Sequence, residues 1–265
     1  MPARPDYFQF LRALQKDVSS SFGDIGVVAL EYCESHHSLE STAPQTFLKT
    51  PLLALTPDSP FPTQLKQANA ALSHLLNNKG IFPGNIVIGG DSAGGNLVLQ
   101  LASHLLHPLP SIPPPPALSQ PLAGAMLISP WCSYNPDRPS YARNDDKDVF
   151  PATTYAHFPQ FVVAGLTPEL EPHCHPSAAP ASWWKGLDGV FARALITAGE
   201  NEGPFDHIIE MGTKISQSVK DTVTVVEPGA VHEEMIFRFA IGKDGVGKVY
   251  EDMVEFLSRS FQGRR

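Results

Sequence analysis

Gly90-Asp91-Ser92-Ala93-Gly94 sets one hydroxyl between two glycines, directly after the apolar run "NIVIG" and at the head of "GGNLVLQLASHLL", which has helical character. A G-x-S-x-G pattern between a strand and a helix is the context in which a very tight turn lifts a serine hydroxyl above a sheet. Side chains at the flanking positions would collide with the neighbouring strand and helix, so glycine is expected at Gly90 and Gly94. The helix that follows aims its first N–H groups at the same point, where a developing oxyanion would be stabilised. The chemistry that fits is attack by Ser92 on an acyl carbon.

A serine nucleophile needs a base, and the base needs an orienting acid. The expected chain order is serine, acid, histidine, each just past a strand end. "TVTVVEPG" reads as the last strand and is followed by Ala230-Val231-His232, which makes His232 the candidate base among ten histidines. His74 sits on a helix, and His104 and His107 end one. His173 and His175 read as surface-loop residues, and His207 reads as a solvated helix residue. The acid should follow the preceding strand, where "ITAGENEGPFDHI" offers Glu200, Glu202 and Asp206. Asp206 suits a helix-start carboxylate, and spacing leaves the three open.

The elements that must position these residues alternate along the chain. Residues 6–17 carry helical apolar spacing, and "IGVVALEY" (Ile25 to Tyr32) reads as a strand buried on both faces. Pro60 to Asn78 is a helix with a Leu65, Ala68, Leu72, Leu75–Leu76 stripe, followed by the strand "NIVIGG" and the helix after Ser92. Residues 107–120 form a proline-rich surface loop, then "LAGAMLISPW" is a strand. Residues 134–190 read as a cap-like excursion with short helical patches. "ARALITAGE" is a strand, Ile208 to Val219 a helix, "TVTVVEPG" a strand and "KVYEDMVEFLSRSF" a closing amphipathic helix. The alternation predicts an α/β class, doubly wound, mostly parallel sheet within a single domain over 1–265.

Within the excursion, Trp183 and Trp184 read as packing of the cap wall in preference to an acyl or alcohol pocket. Asn144, Asp145, Asp146 and Asp148 read as a polar loop or helix start, without EF-hand spacing. The 265 residues are 42% hydrophobic and 17% charged, enough for one sizeable core. A net charge of -8 without a Lys/Arg block disfavours nucleic acid as a partner. Three cysteines, Cys33, Cys132 and Cys174, are an odd count without metal-ligand spacing, which fits a reducing compartment such as the cytoplasm and no metal site. "MPARPDYFQFLRALQKDV" lacks a signal-peptide apolar core, and no later run suits a membrane span.

These residues resemble the hormone-sensitive-lipase-like branch of the α/β hydrolases, and its fungal esterase members in particular. The resemblance rests on "GDSAGGNL", "SPFPTQLKQANAALSHLL", "LAGAMLISPW", "ITAGENEGPFDHI" and "EPGAVHEE", and runs from about Pro5 to the C-terminus with one interruption. It implies a Ser92, Glu202, His232 triad, with Asp206 as the helix aspartate and the Ala93 N–H as an oxyanion donor. The implied activity is hydrolysis of a small-molecule carboxylic ester, acetyl or short acyl, with no cofactor.

Two departures from that family stand out. The His-Gly-Gly-Gly loop that supplies further oxyanion donors is not found, so the early strands and that loop are expected to be missing from this chain. Residues 33–54, "CESHHSLESTAPQTFLKTPLLA", interrupt the expected passage from "VALEY" to "LTPDSPFP" and are long for a structureless connection. They read as a lid or surface loop, or as a retained short intron, since Cys-Glu-Ser can be encoded by TGT-GAG-TCN with its GTGAGT donor. A serine esterase is therefore the leading expectation. A catalytically impaired hydrolase or binding protein is the alternative, and an amidase or thioesterase would use the same groups.

Overall fold

The computed structural model describes residues 5–22, 25–27, 61–162, 166–242 and 247–262. The segment 33–54 and most of the expected strand Ile25 to Tyr32 lie outside the described residues, and Ile25 to Val27 have no regular secondary structure. Helix α1 (Pro5–Phe22) and helix α2 (Thr63–Ser73), which continues into a π-helical turn at His74–Asn78, precede the sheet. Then come β1 (Val87–Asp91), α3 (Ser92–Leu106) and β2 (Gly124–Ile128). Among its described residues the excursion carries four short α-helices, α4 (Pro139–Arg143), α5 (Ala152–His157), α6 (Pro159–Val162) and α7 (Glu171–Cys174), and 3-10 turns at Ala181–Trp184 and Leu187–Gly189. The chain closes with β3 (Ala194–Gly199), α8 (Phe205–Ser218), β4 (Thr222–Glu227), α9 (Glu234–Ala240) and α10 (Lys248–Phe261).

The four strands are parallel and lie in the order β1-β2-β3-β4. Period-two alternation splits their side chains between two cores. Ala125, Leu127, Ala194, Ile196 and Ala198 face a cluster with Leu65 and Leu72 of α2, Leu97 and Leu101 of α3, and Ile208 and Met211 of α8. Met126, Ile128 and Leu195 face the other way, onto Phe10 and Leu14 of α1, Met235 and Phe239 of α9, and Met253 and Phe256 of α10. Helices therefore cover both faces, which is why β2 and β3 read as continuous apolar runs. Strand β4 pairs only with β3 among the described residues, and its Val223 and Val226 are exposed. No helix among the described residues is long and apolar enough to cross a membrane.

Parallel register fixes where chemistry can sit. Asp91 is opposite Ile128, Ile128 opposite Thr197, and Gly199 opposite Glu227. The residues just past these ends, including Ser92, Ser129, Glu202 and His232, thus share the carboxyl edge of the sheet, where open α/β sheets bind ligands.

Candidate active site

Ser92 is the first residue of α3 and directly follows β1, with φ +45°. That left-handed conformation is strained for a non-glycine residue, and strain of this kind collects at functional positions. The turn is tight enough to dictate its neighbours. A Cβ on Gly90 would lie 2.4 Å from the Gly94 carbonyl carbon and 2.8 Å from the Gly95 nitrogen. A Cβ on Gly95 would lie 2.7 Å from Pro130 Cβ, whereas one on Gly94 meets nothing nearer than Asp91 Oδ1 at 3.7 Å. The expectation that Gly94 is sterically required is therefore corrected: the second required glycine is Gly95, because the segment leaving β2 crosses over it. Gly95→Ala is expected to cost about 1–3 kcal/mol through overpacking, while Gly94→Ala is neutral or stabilising because alanine is the better helix former. Chemical denaturation of the two variants checks the contrast.

His232 lies in the loop between β4 and α9, and its Nε2 is 2.9 Å from Ser92 Oγ. On its other side Nδ1 is 2.6 Å from Glu202 Oε2. Glu202 sits in the loop between β3 and α8, where its chain turns back so that Oε1 accepts the Gly199 N–H at 2.7 Å and the Ser129 hydroxyl at 3.2 Å. Glu202 is 0% exposed and His232 1%. A buried carboxylate is costly unless paired, and these three donors offset that cost. Burial pushes the His232 imidazole down, but the Glu202 hydrogen bond and charge, with smaller contributions from Glu233 and Asp148, outweigh it and raise it to about 9. A fixed carboxylate behind an imidazole favours the cationic form that proton transfer from a serine would create.

The other expected acids lie elsewhere. Glu200 is exposed and accepts the Gly229 N–H. Asp206 is in the first turn of α8, but its carboxylate accepts the Ser140 N–H at the start of α4 and pairs with Arg143. The Ala93 N–H belongs to the first turn of α3, where helix geometry provides no acceptor within the helix. Ser92 and Trp131 are also tied, the Trp131 N–H donating to the Ser92 carbonyl at 2.9 Å.

Two histidines expected on the surface are buried. Ser103 Oγ is hydrogen-bonded to His173 Nδ1 at 2.9 Å and accepts the Trp183 indole N–H, and burial pushes His173 down to about 4. His207 is bonded to Ser177 Oγ and to the Asn135 carbonyl. Both were misjudged because the excursion covers the helices that carry or contact them. Trp184 is in the main core, and Trp183 stacks on His107 at 3.8 Å, so the tryptophans act as wall packing. Cys132 and Cys174 are buried free thiols, which burial pushes up.

Ser129 went unnoticed in the sequence, and Asp148, read there only as part of a polar loop, also reaches the site. Ser129 stands immediately beyond β2 with φ +41°, a hydroxyl at the same sheet edge as Ser92, and that position was its only signal. Asp148 accepts the His232 backbone N–H at 2.9 Å and the Gly203 N–H at 2.7 Å. Aromatic rings of the excursion close around the histidine, with Tyr155 and Phe150 centroids 6.0 and 6.2 Å from its own.

The chain is similar to known hydrolases. An acetyl-hydrolase of Streptomyces hygroscopicus is 30% identical over 164 residues, which cover 59% of this chain and 48% of that protein. An esterase from the bacterial hormone-sensitive lipase (HSL) family superposes with a TM-score of 0.61 at 25% identity, over 77% of this chain and 63% of that one. An esterase/lipase from an uncultured bacterium shares the fold, with a TM-score of 0.63 at 21% identity over 94% of this chain and 69% of that one. The chain thus spans about half the length of the acetyl-hydrolase it matches (48%). Residues 51–236 match the family described by the alpha/beta hydrolase fold, with the strand–serine–helix turn, the β3–α8 loop and the β4–α9 loop all inside the match, and the chain belongs to that family.

Proposed function

We propose that the chain is a carboxylic ester hydrolase acting on a small-molecule ester with an acetyl or short acyl group. Ser92 Oγ attacks the ester carbonyl carbon while His232 Nε2 takes its proton. The carbonyl oxygen becomes an oxyanion facing the Ala93 N–H at the α3 N-terminus. Glu202 holds the imidazole with its proton on Nδ1 and stabilises the imidazolium. The tetrahedral intermediate collapses, the C–O bond to the alcohol breaks, and the imidazolium gives the alcohol its proton. Water then attacks the acyl-serine with His232 again as base, releasing the carboxylic acid and restoring the serine. The scheme calls for no cofactor.

The observation that carries the reading is the unbroken Ser92–His232–Glu202 hydrogen-bond chain at 2.9 and 2.6 Å, built from three separate strand ends. The acetyl-hydrolase and esterase relatives support the choice of an ester over an amide. Turnover of p-nitrophenyl acetate by the purified chain tests it. Hydrolysis well above buffer is expected, and a rate equal to buffer, with the ester still bound, would instead describe a binding protein on this fold.

The base works only when neutral, and His232 is held above its ordinary value. Activity should therefore rise with pH through an acid limb whose midpoint lies above 6.5, toward about 9. The pH dependence of kcat/KM measures this directly; a midpoint below 6.5 contradicts the assigned imidazole–carboxylate pairing.

A further inference from the structure

Asp148 belongs to the excursion and stands 84 positions from His232 in the chain, yet it has the most fully used carboxylate near the site. Its Oδ1 accepts the Val149 N–H at 2.8 Å and the His232 N–H at 2.9 Å. Its Oδ2 accepts the Gly203 N–H at 2.7 Å and the Tyr155 hydroxyl at 2.9 Å. Four donors fill the four lone-pair directions of an ionised carboxylate. Those donors come from three different places: the excursion itself, the histidine loop, and the residue following Glu202. Burial, then the Asp148 charge, push the Tyr155 phenol up, so it stays a donor.

From this geometry we infer that Asp148 is a positioning residue that locks the histidine loop to the acid loop and sets the His232–Glu202 register from the excursion. The inference rests on the hydrolase reading for its consequence in catalysis, but the lock itself is a property of the chain. Neighbouring contacts brace the same junction. Asn144 Nδ2 donates to the Glu200 and Glu202 carbonyls, and the Ser140 hydroxyl donates to the Gly203 carbonyl at 2.6 Å. A shift of either loop lengthens the 2.6 Å contact between His232 and Glu202, because each loop carries one of the partners. The segment that covers the site therefore also aligns the groups beneath it.

Asparagine at 148 separates charge from shape. Its amide oxygen satisfies two donors, but its NH2 group faces the other two and cannot accept from them. The titratable groups facing His232 are Glu202, Glu233, Asp148 and Tyr155, with Asp91 beyond Glu233. Of these, Asp148→Asn removes one negative charge and leaves the rest, so the imidazole should titrate at lower pH.

The test combines kinetics with an NMR titration of the His232 imidazole in wild type, Asp148→Asn, Asp148→Ala and Tyr155→Phe. The expected result is a kcat lowered about 10- to 100-fold with KM little changed in both Asp148 variants. Their His232 midpoint should move down, whereas Tyr155→Phe keeps the charge and the midpoint. Unchanged kcat and midpoint in both Asp148 variants overturn the inference. So does a lower melting temperature with an unshifted midpoint, which would make the residue structural only. The titration needs no ester. A wild-type chain inert toward esters, with the midpoint still displaced in Asp148→Asn, would therefore defeat the hydrolase reading and leave the positioning role standing.

Discussion

Ser92→Ala is expected to lower kcat/KM for p-nitrophenyl acetate by about 10⁴-fold or more while leaving the fold intact. The side chain contributes one hydroxyl, its hydrogen bond to His232 Nε2, and no core packing. The backbone at φ +45° remains as strained for alanine as for serine, so stability should change little. What disappears is the hydroxyl bonded to the imidazole, and with it the proposed covalent route. Any remaining rate would come from oxyanion stabilisation and binding alone. Steady-state kinetics with a melting curve separate the two effects. A variant that keeps a tenth of the wild-type rate would mean that the chemistry runs through another group.

Glu202→Gln is expected to lower kcat by about 10⁴-fold, the effect of placing the wrong tautomer on the base. If the glutamine oxygen stays with the Gly199 N–H, its NH2 points at His232 Nδ1 and donates to it. The imidazole proton then moves to Nε2, which presents a donor to Ser92 Oγ and can no longer accept its proton. If the amide is flipped, the NH2 instead meets the Gly199 N–H across 2.7 Å, two donors face to face. Either orientation spoils the site, because Glu202 is fully buried and bulk solvent does not reach its side chain. Glu200→Gln, at an exposed position, should stay within a factor of about two to three of wild type, the scale of a surface change well below 1 kcal/mol. Asp206→Asn should act on stability, since its carboxylate starts α4 and pairs with Arg143. Kinetics of the three variants decide among the three acids that spacing left open.

The contrast among those acids shows where sequence stops being legible. The strand patterns around β1, β2 and β3, the serine turn, and the amphipathic closing helix are local, so short windows contain them. The α10 boundaries, Lys248–Phe261, coincide with the periodic segment "KVYEDMVEFLSRSF". The position of His232 was legible because a residue just past a strand end must lie at the sheet edge. Which carboxylate turns inward is decided by one turn, in which the Glu202 N–H bonds to the Gly199 carbonyl and the Glu202 side chain bonds back to the Gly199 N–H. No periodicity records that. Gly95 was missed because its requirement is set by Pro130, which reaches α3 only through the fold. His173 and His207 were misread, and the partners of Asp148 not foreseen, for the same reason: their contacts are made through an excursion that has short helices and no repeating pattern of its own. The alternation of strands and helices that announced the architecture says nothing about what lies across it.

The most direct test of the central claim is reaction of the whole chain with an alkyl fluorophosphonate, followed by mass spectrometry of its peptides. A serine hydroxyl deprotonated by an adjacent imidazole displaces fluoride and keeps the phosphonyl group, mimicking the tetrahedral intermediate. The account predicts one phosphonyl group per chain, on the peptide containing Ser92, with none in Ser92→Ala and strongly slowed reaction in His232→Ala. An unmodified wild-type chain, or a phosphonyl group carried on any other residue, would contradict it.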